Sequence, residues 1–191
     1  MFSKEREEIL EPLLRKWRLG KILPFIRQFP QCRLLDIGCG WNACFLREVE
    51  PYIACGIGVD EKAPQLPAGK ISTQRLRIDK KLPFKDCSFD AVTMLAVLEH
   101  LAEPEAIVQE IRRVLKPGGH FCGTVPSHWA KPVLEFLAFR LGIVNPKEIA
   151  DHKRYFNRSD LQRLFAQADL ELIRHQYFQA VMNNFFVARK C

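Results

Sequence analysis

The sequence predicts an open α/β domain, a doubly wound and largely parallel sheet with helices on both faces, and three observations carry that expectation. Five apolar, strand-like runs alternate with helical segments through residue 126, the pattern left by parallel strands joined through crossover helices. Residues 34–43, LLDIGCGWNA, lead from an apolar strand through two glycines into a helix start, as a tight ligand-facing turn requires. Two further strand-like runs, 170–178 and 184–190, close the chain as a pair that an antiparallel hairpin would join.

Taken in order, residues 3–21 read as a helix, with Ile9, Leu10, Leu13, Leu14 and Trp17 at helical spacing and basic residues toward its end. Pro24 and Pro30 bracket a connector. Leu34, Leu35 and Ile37 form the first strand, and residues 42–49 the next helix. Strands follow at 52–60, 72–78 and 89–95, with a Pro-rich loop at 61–69. The helix at 104–115 has its apolar face at Ile107, Val108, Ile111, Val114 and Leu115. Lys116-Pro117-Gly118-Gly119 stops it, because proline cannot continue a helix and glycine accepts the left-handed turn. Residues 120–126 make the fifth strand. Residues 127–157 look like an insertion, and its apolar 133–144 segment needs burial, another chain or an apolar ligand. Residues 159–169 are a capped helix, and 182–184 the polar turn between the last two strands.

A length of 191 residues fits one domain. Residues 1–30 are read as an N-terminal helix capping the fold, and 31–191 as the main domain with a lid-like insertion at about 127–157. With 48% hydrophobic and 27% charged residues the composition is that of a soluble globular protein. The opening MFSKEREEILEPLL has acidic residues where a secretory signal needs an apolar core, and no run of about 20 apolar residues follows. A cytoplasmic protein without a transmembrane segment is the expectation. Seven cysteines, an odd number with no C-x-x-C pair, signal neither a disulfide framework nor a metal site, and read as buried reduced thiols. The net charge of +7 is scattered among acidic residues and lacks an aromatic–basic motif. That argues for a basic surface rather than a nucleic-acid partner, and leaves peripheral contact with an anionic membrane open. Oligomeric state is not encoded legibly.

In such a sheet the ligand sits beyond the carboxyl ends of the strands. Here those ends carry Asp36, Asp60, Asp79, residues 95–100 and residues 126–128. The glycine turn and helix start suit a nucleotide-like ligand, since open backbone N–H groups and about half a positive charge gather there. Gly38, Gly40 and Ala43 satisfy the loose G-x-G-x-x-G/A dinucleotide pattern, with Asp60 about 20 residues on. Asp36 argues for a different ligand: a carboxylate there repels a pyrophosphate and attracts an ammonium or a sulfonium. The favoured ligand is cationic and adenosine-like.

The segments LLDIGCG, GVD, LRIDKKLPFKDCSFD, VLEHL and RVLKPGGHF follow one another in that order. With them the chain, over roughly residues 30–190, resembles the class I S-adenosylmethionine-dependent methyltransferases, specifically the small bacterial type 11 group. The resemblance implies a Rossmann-like, seven-stranded sheet whose last strand is antiparallel, and S-adenosylmethionine as cofactor. It implies that Asp36, Gly38 and Gly40 hold the methionyl part, and that Asp60, followed by Glu61, takes the ribose hydroxyls. Asp79 and the backbone at Ile78 would face the adenine, and the backbone of Leu95 the methionine portion. Asn42 stands where many members carry a third glycine, after a bulky Trp41. Glu99 and His100 are the first catalytic candidates, although Glu-His-Leu recurs among members with different acceptors and a loop-orienting role stands beside the catalytic one. His128, His152 and Tyr155 lie where the family places substrate contacts, with Lys153 and Arg154 suited to an acidic head group; a plain surface loop is the competing reading. The expected acceptor is small or amphipathic, lipid-linked or a glycan. A catalytically silent cofactor-binding partner protein and an NAD-dependent reductase are the alternative readings.

Overall fold

Strands β1 (Arg33–Ile37), β2 (Cys55–Asp60), β3 (Ile71–Arg75), β4 (Phe89–Leu95) and β5 (Leu115–Pro126) pair in parallel, in a computed structural model that describes residues 11–67, 69–78, 81–130 and 153–191. β6 (Leu170–Phe178) and β7 (Asn183–Lys190) complete a seven-stranded sheet of order β3-β2-β1-β4-β5-β7-β6. β7 runs antiparallel to both β5 and β6, so the one reversed strand is the last, as expected.

Both faces are covered. On β1, Leu34 packs into one cluster and Leu35 and Ile37 into the other, all fully buried, which is the two-residue alternation of a strand enclosed between layers. One layer is α1 (Glu11–Ile26) and α2 (Cys44–Val49), joined by an Arg15–Glu48 ion pair of 2.8 Å. The other is α3 (Pro104–Val114) and α4 (Arg158–Ala166). Ile107, Val108, Ile111 and Val114 form the buried stripe of α3. At about 1.5–3 kcal/mol for each aliphatic side chain fully buried, that stripe is enough to fix the helix on the sheet.

Several boundaries differ from the sequence reading for identifiable reasons. α1 continues through Pro24 to Ile26, because Ile22 and Ile26, one turn apart and both fully buried, outweigh the single hydrogen bond proline removes in the last turn; residues 1–10 lie outside the described residues. β2 starts at Cys55 since Glu50–Tyr52, with Pro51, forms a 3-10 turn. α2 starts only at Cys44, after a left-handed Ala43. β3 spans Ile71–Arg75 rather than 72–78.

α3 ends one residue early: Leu115 is already extended and pairs with Phe89. Lys116-Pro117-Gly118-Gly119 is therefore no helix cap but an irregularity within β5, where the register shifts between Phe89 and Ala91 and Gly118 takes φ +75°. α4 is capped by Asn157 rather than by Ser159: the Asn157 side chain accepts from the Asp160 N–H, and the Asp160 carboxylate accepts from the Asn157 N–H. The last turn sits at 179–182, where Gln179, Ala180 and Val181 all have positive φ. The apolar 133–144 segment lies outside the described residues. Of the seven cysteines, Cys32, Cys39 and Cys122 are buried, whereas Cys87 and Cys191 are exposed, so the expectation of buried thiols holds only in part.

Candidate functional site

A cavity of about 740 Å³ opens beyond the carboxyl ends of β1, β2 and β4. It lies where the strand order reverses between β1 and β4, the place such sheets bind ligands. Gly38, Gly40, Asp60, Glu61, Ile78, Leu95 and His100, all singled out from the sequence, line it. Asp79 and His152 lie outside the described residues.

The glycine loop is not an open cradle of N–H groups. The Gly38 and Cys39 N–H groups both donate to the Val59 carbonyl, at 2.8 and 3.2 Å, and the Gly40 N–H donates to Asp60 Oδ2 at 3.0 Å. The helix that follows has six residues and no side-chain cap. The expected anion-holding helix start is thus replaced by a loop stitched to β2. Asp60 Oδ1 accepts from the Lys62 N–H at 2.8 Å. Each Asp60 oxygen therefore has one backbone donor, and a carboxylate with about four lone-pair sites keeps two for a ligand.

Gly38 has φ +80°, and a Cβ placed on it would lie 2.2 Å from Val97 Cγ2. Val97 is brought there by Ala96, whose φ of +54° bends the chain where β4 ends. Ala96 and Val97 both line the cavity, together with Lys62, Arg77 and Ile107. The sequence marked Ala96 and Val97 only as part of the 95–100 strand end, and passed over Lys62, Arg77 and Ile107 as cavity residues.

Asp36 is not on the wall. It is 2% exposed and lies beneath the loop, where Thr93 Oγ1 donates to its Oδ1 at 2.7 Å. Burial is the main cause that pushes its pKa from 3.8 to about 7; the Thr93 bond opposes the rise and the Asp60 charge adds to it. The picture of three strand-end acids converging on one ligand is corrected accordingly, with Asp60 on the wall and Asp36 behind it.

The Asp36 shift predicts a pH effect on stability. The unfolded chain releases this proton near pH 4 while the folded chain keeps it to about 7, so the stability present below pH 4 is lost as pH rises through 7. In Asp36→Asn that loss is removed. Thermal melts at pH 4 and pH 8 are expected to show the variant gaining on the parent by roughly 10 °C between the two, and a constant difference would refute the shift.

Glu99 and His100 part company. They share the 3-10 turn Leu98–His100, but Glu99 is 1% exposed and does not reach the cavity, while His100 lines it. Burial raises the Glu99 pKa from 4.5 to about 8, and its Oε2 has no hydrogen-bond partner among the described residues. Its carbonyl accepts from the N–H groups of Lys153 and Arg154, at 2.9 and 3.3 Å. Buried Asn184 ties the same strap from the other end, donating to the Phe156 carbonyl at 2.8 Å. Lys153 is thereby held on the cavity wall.

His128 and Tyr155 sit elsewhere, in a separate hollow of about 500 Å³ beside α4. Its charged groups are matched internally. His128 Nε2 lies 3.2 Å from Asp160, Arg163 pairs with Asp160 at 2.7 Å, and Arg154 pairs with Glu105 at 2.7 Å. These two expected substrate residues are not brought to His100.

Residues 35–123 match the family model described as a methyltransferase domain. Those residues thus carry a methyltransferase domain of the class I, type 11 kind. The family's cofactor is S-adenosylmethionine. Among relatives, the ubiquinone biosynthesis O-methyltransferase of Dinoroseobacter shibae is 29% identical over 80% of this chain and 65% of its own. The enzyme of the same name from Idiomarina loihiensis is 32% identical over 73% of this chain and 61% of its own. The chain thus spans somewhat under two thirds of the length of these relatives. A solved S-adenosylmethionine-dependent methyltransferase from Mesorhizobium loti superposes with a TM-score of 0.65 at 15% identity, covering 91% of this chain and 98% of that one, which establishes the shared fold.

The cavity fits the cofactor on its own geometry. Asp60 retains acceptor capacity suited to a diol, and the missing Cβ at Gly38 leaves the loop seated against Val97. Among the described residues no His, Cys, Asp or Glu cluster could hold a metal ion, and no helix is long and apolar enough to cross a membrane.

Proposed function

We propose that this protein transfers a methyl group from S-adenosylmethionine to a hydroxyl oxygen of a small, amphipathic acceptor. The observation that carries the reading is the use of the Gly38, Cys39 and Gly40 N–H groups by β2 itself. Those three N–H groups are not available to a pyrophosphate, which argues against a nicotinamide dinucleotide. It leaves the charged Asp60 as the main polar recognition group. The O-methyltransferase names of relatives near 30% identity support oxygen as the acceptor atom.

When bound, S-adenosylmethionine supplies an electrophilic methyl group on a positively charged sulfur. Asp60 would accept from the ribose hydroxyls, with Glu61 beside it, and the backbone at Ile78 would border the adenine. Gly38, Gly40 and Leu95 would shape the methionyl side, with the buried Asp36 carboxyl behind the loop. Val97, Leu101 and Ile107 make an apolar wall that excludes water, while His100 and Lys153 give the same cavity a polar side. That mixture suits an amphipathic acceptor, oriented with its hydroxyl toward His100. Orientation alone is powerful, since well-aligned groups reach effective molarities of about 10⁵–10⁸ M. His100 takes the acceptor's proton, a role imidazole fills near neutral pH.

Calorimetry with S-adenosylhomocysteine and with NADH tests the cofactor, and labelled methyl transfer to phenolic and quinol acceptors tests the reaction. His100→Gln is expected to lower kcat by about 10²–10⁴-fold while leaving S-adenosylhomocysteine affinity within about twofold. An unchanged kcat removes His100 from the chemistry. Cofactor binding without turnover on any hydroxyl acceptor removes the reaction.

A further inference from the structure

We propose that the rim of the cavity is a docking surface for an anionic lipid bilayer, seated through Trp17, Trp41 and Trp129. The inference goes beyond methyl transfer and does not depend on it.

Six large apolar side chains stand exposed among the described residues, and four of them, Trp17, Trp41, Trp129 and Val181, lie on the sheet edge where the cavity opens. Trp41 lines the cavity itself, just after the end of β1. Trp129 follows the end of β5 in the turn that Ser127 starts, and it is 70% exposed. Val181 is in the β6–β7 turn, whose carbonyl accepts from Ser127 Oγ at 2.6 Å. Trp17 reaches the same edge along α1: Phe25 and Phe29 near the end of that region pack on His120 toward the start of the paired part of β5, whereas Lys21 reaches Gln176 near the end of β6. Trp17 stands one turn before Lys21 along α1, on the side toward that edge.

Three exposed tryptophans are costly to leave in water unless something covers them, and the kind of cover is set by what surrounds them. Lys16 adjoins Trp17, Arg77 and Lys153 border the cavity mouth, and Arg158 opens α4; all are exposed. Among the described residues, Arg77 alone of these pairs with an acid, Glu61 at 3.7 Å, with both side chains well exposed and so weakly coupled. Against them on this edge stand Glu61, Glu103 and Glu105. The whole chain carries +7. Indole rings with an apolar body and one N–H donor settle at headgroup depth, and basic residues add attraction to anionic headgroups. The combination selects an anionic bilayer.

The chain has only three tryptophans, and all are on this rim, so intrinsic emission reads the proposal directly. Vesicles of phosphatidylcholine with about 30% phosphatidylglycerol are expected to shift the emission to the blue and to co-sediment the protein. Phosphatidylcholine alone, or about 0.5 M salt, is expected to abolish most of both effects. Lys16→Glu, Trp17→Gln and Trp129→Gln are each expected to weaken partitioning by roughly fivefold with S-adenosylhomocysteine binding unchanged, which shows that each variant is folded. No shift with the anionic vesicles overturns the proposal. So does equal binding to neutral vesicles. A blue shift that instead grows with protein concentration, without vesicles and alongside dimers in sedimentation, overturns it in favour of self-association.

Discussion

Asp60→Ala is expected to lower S-adenosylhomocysteine affinity by about 10²–10⁴-fold, with the fold retained. Of the two carboxylates that the sequence placed on the ribose and the cavity wall displays, Asp60 and Glu61, Asp60 is the one fixed in place by backbone donors, with lone pairs to spare. Two hydrogen bonds from ribose hydroxyls to a charged acceptor are worth about 1.5–3 kcal/mol each, and each 1.4 kcal/mol is about tenfold in affinity. The substitution also frees the Gly40 N–H, which loses its acceptor and with it one of the bonds that hold the loop to β2. Asp60→Asn does not rescue, because one of its two faces becomes a donor and opposes an N–H already pointing at it, from Gly40 or from Lys62. Calorimetry supplies the affinity and circular dichroism the fold; an affinity within threefold of the parent would remove Asp60 from the site.

The parts of this architecture that the sequence made legible are those written in side-chain periodicity. Leu34, Leu35 and Ile37 announce a strand buried on both sides, and Ile107, Val108, Ile111 and Val114 announce one helix face, since burial of apolar area decides both. Element ends were less legible, because tertiary contacts set them. Pro24 stays within α1 because Ile22 and Ile26 reach the core on either side of it. The Lys116–Gly119 signal is a good local helix stop, yet the pairing of Leu115 with Phe89 takes precedence and turns the glycines into a strand irregularity.

At the site, chain position was legible and side-chain direction was not. Asp36 and Asp60 both close strands, but only Asp60 reaches the cavity, while the Asp36 side chain turns under the loop to Thr93. Glu99 and His100 are neighbours on one tight turn whose successive side chains point apart, one into the protein and one into the cavity. His128 and Tyr155 come from the segment expected to hold substrate, but the strap pinned by the Glu99 carbonyl and Asn184 puts them in a second hollow. None of those pins has a sequence pattern, since they are single long-range bonds to backbone.

Gly38→Ala is expected to be the most damaging single methyl group in the loop, lowering the melting temperature by roughly 5–15 °C and S-adenosylhomocysteine affinity by at least about tenfold. Two costs add. An alanine at φ +80° sits in the left-handed region at about 1–2 kcal/mol. Its Cβ also meets Val97 at 2.2, 3.2 and 3.3 Å from Cγ2, Cβ and Cγ1, so no rotation about one bond clears it, and overpacking of this sort costs about 1–3 kcal/mol. For a chain of this size each kcal/mol lowers the midpoint by about 2–4 °C. The two costs can be separated, because the clash belongs to Val97 and the backbone strain does not. Adding Val97→Ala to Gly38→Ala is expected to recover the part due to the clash, about half of the loss, whereas Val97→Ala alone destabilises. That sign reversal in a double-mutant cycle is what direct contact produces. If the two losses simply add, the loop is not seated on Val97, and the shape of the cofactor cavity has another origin.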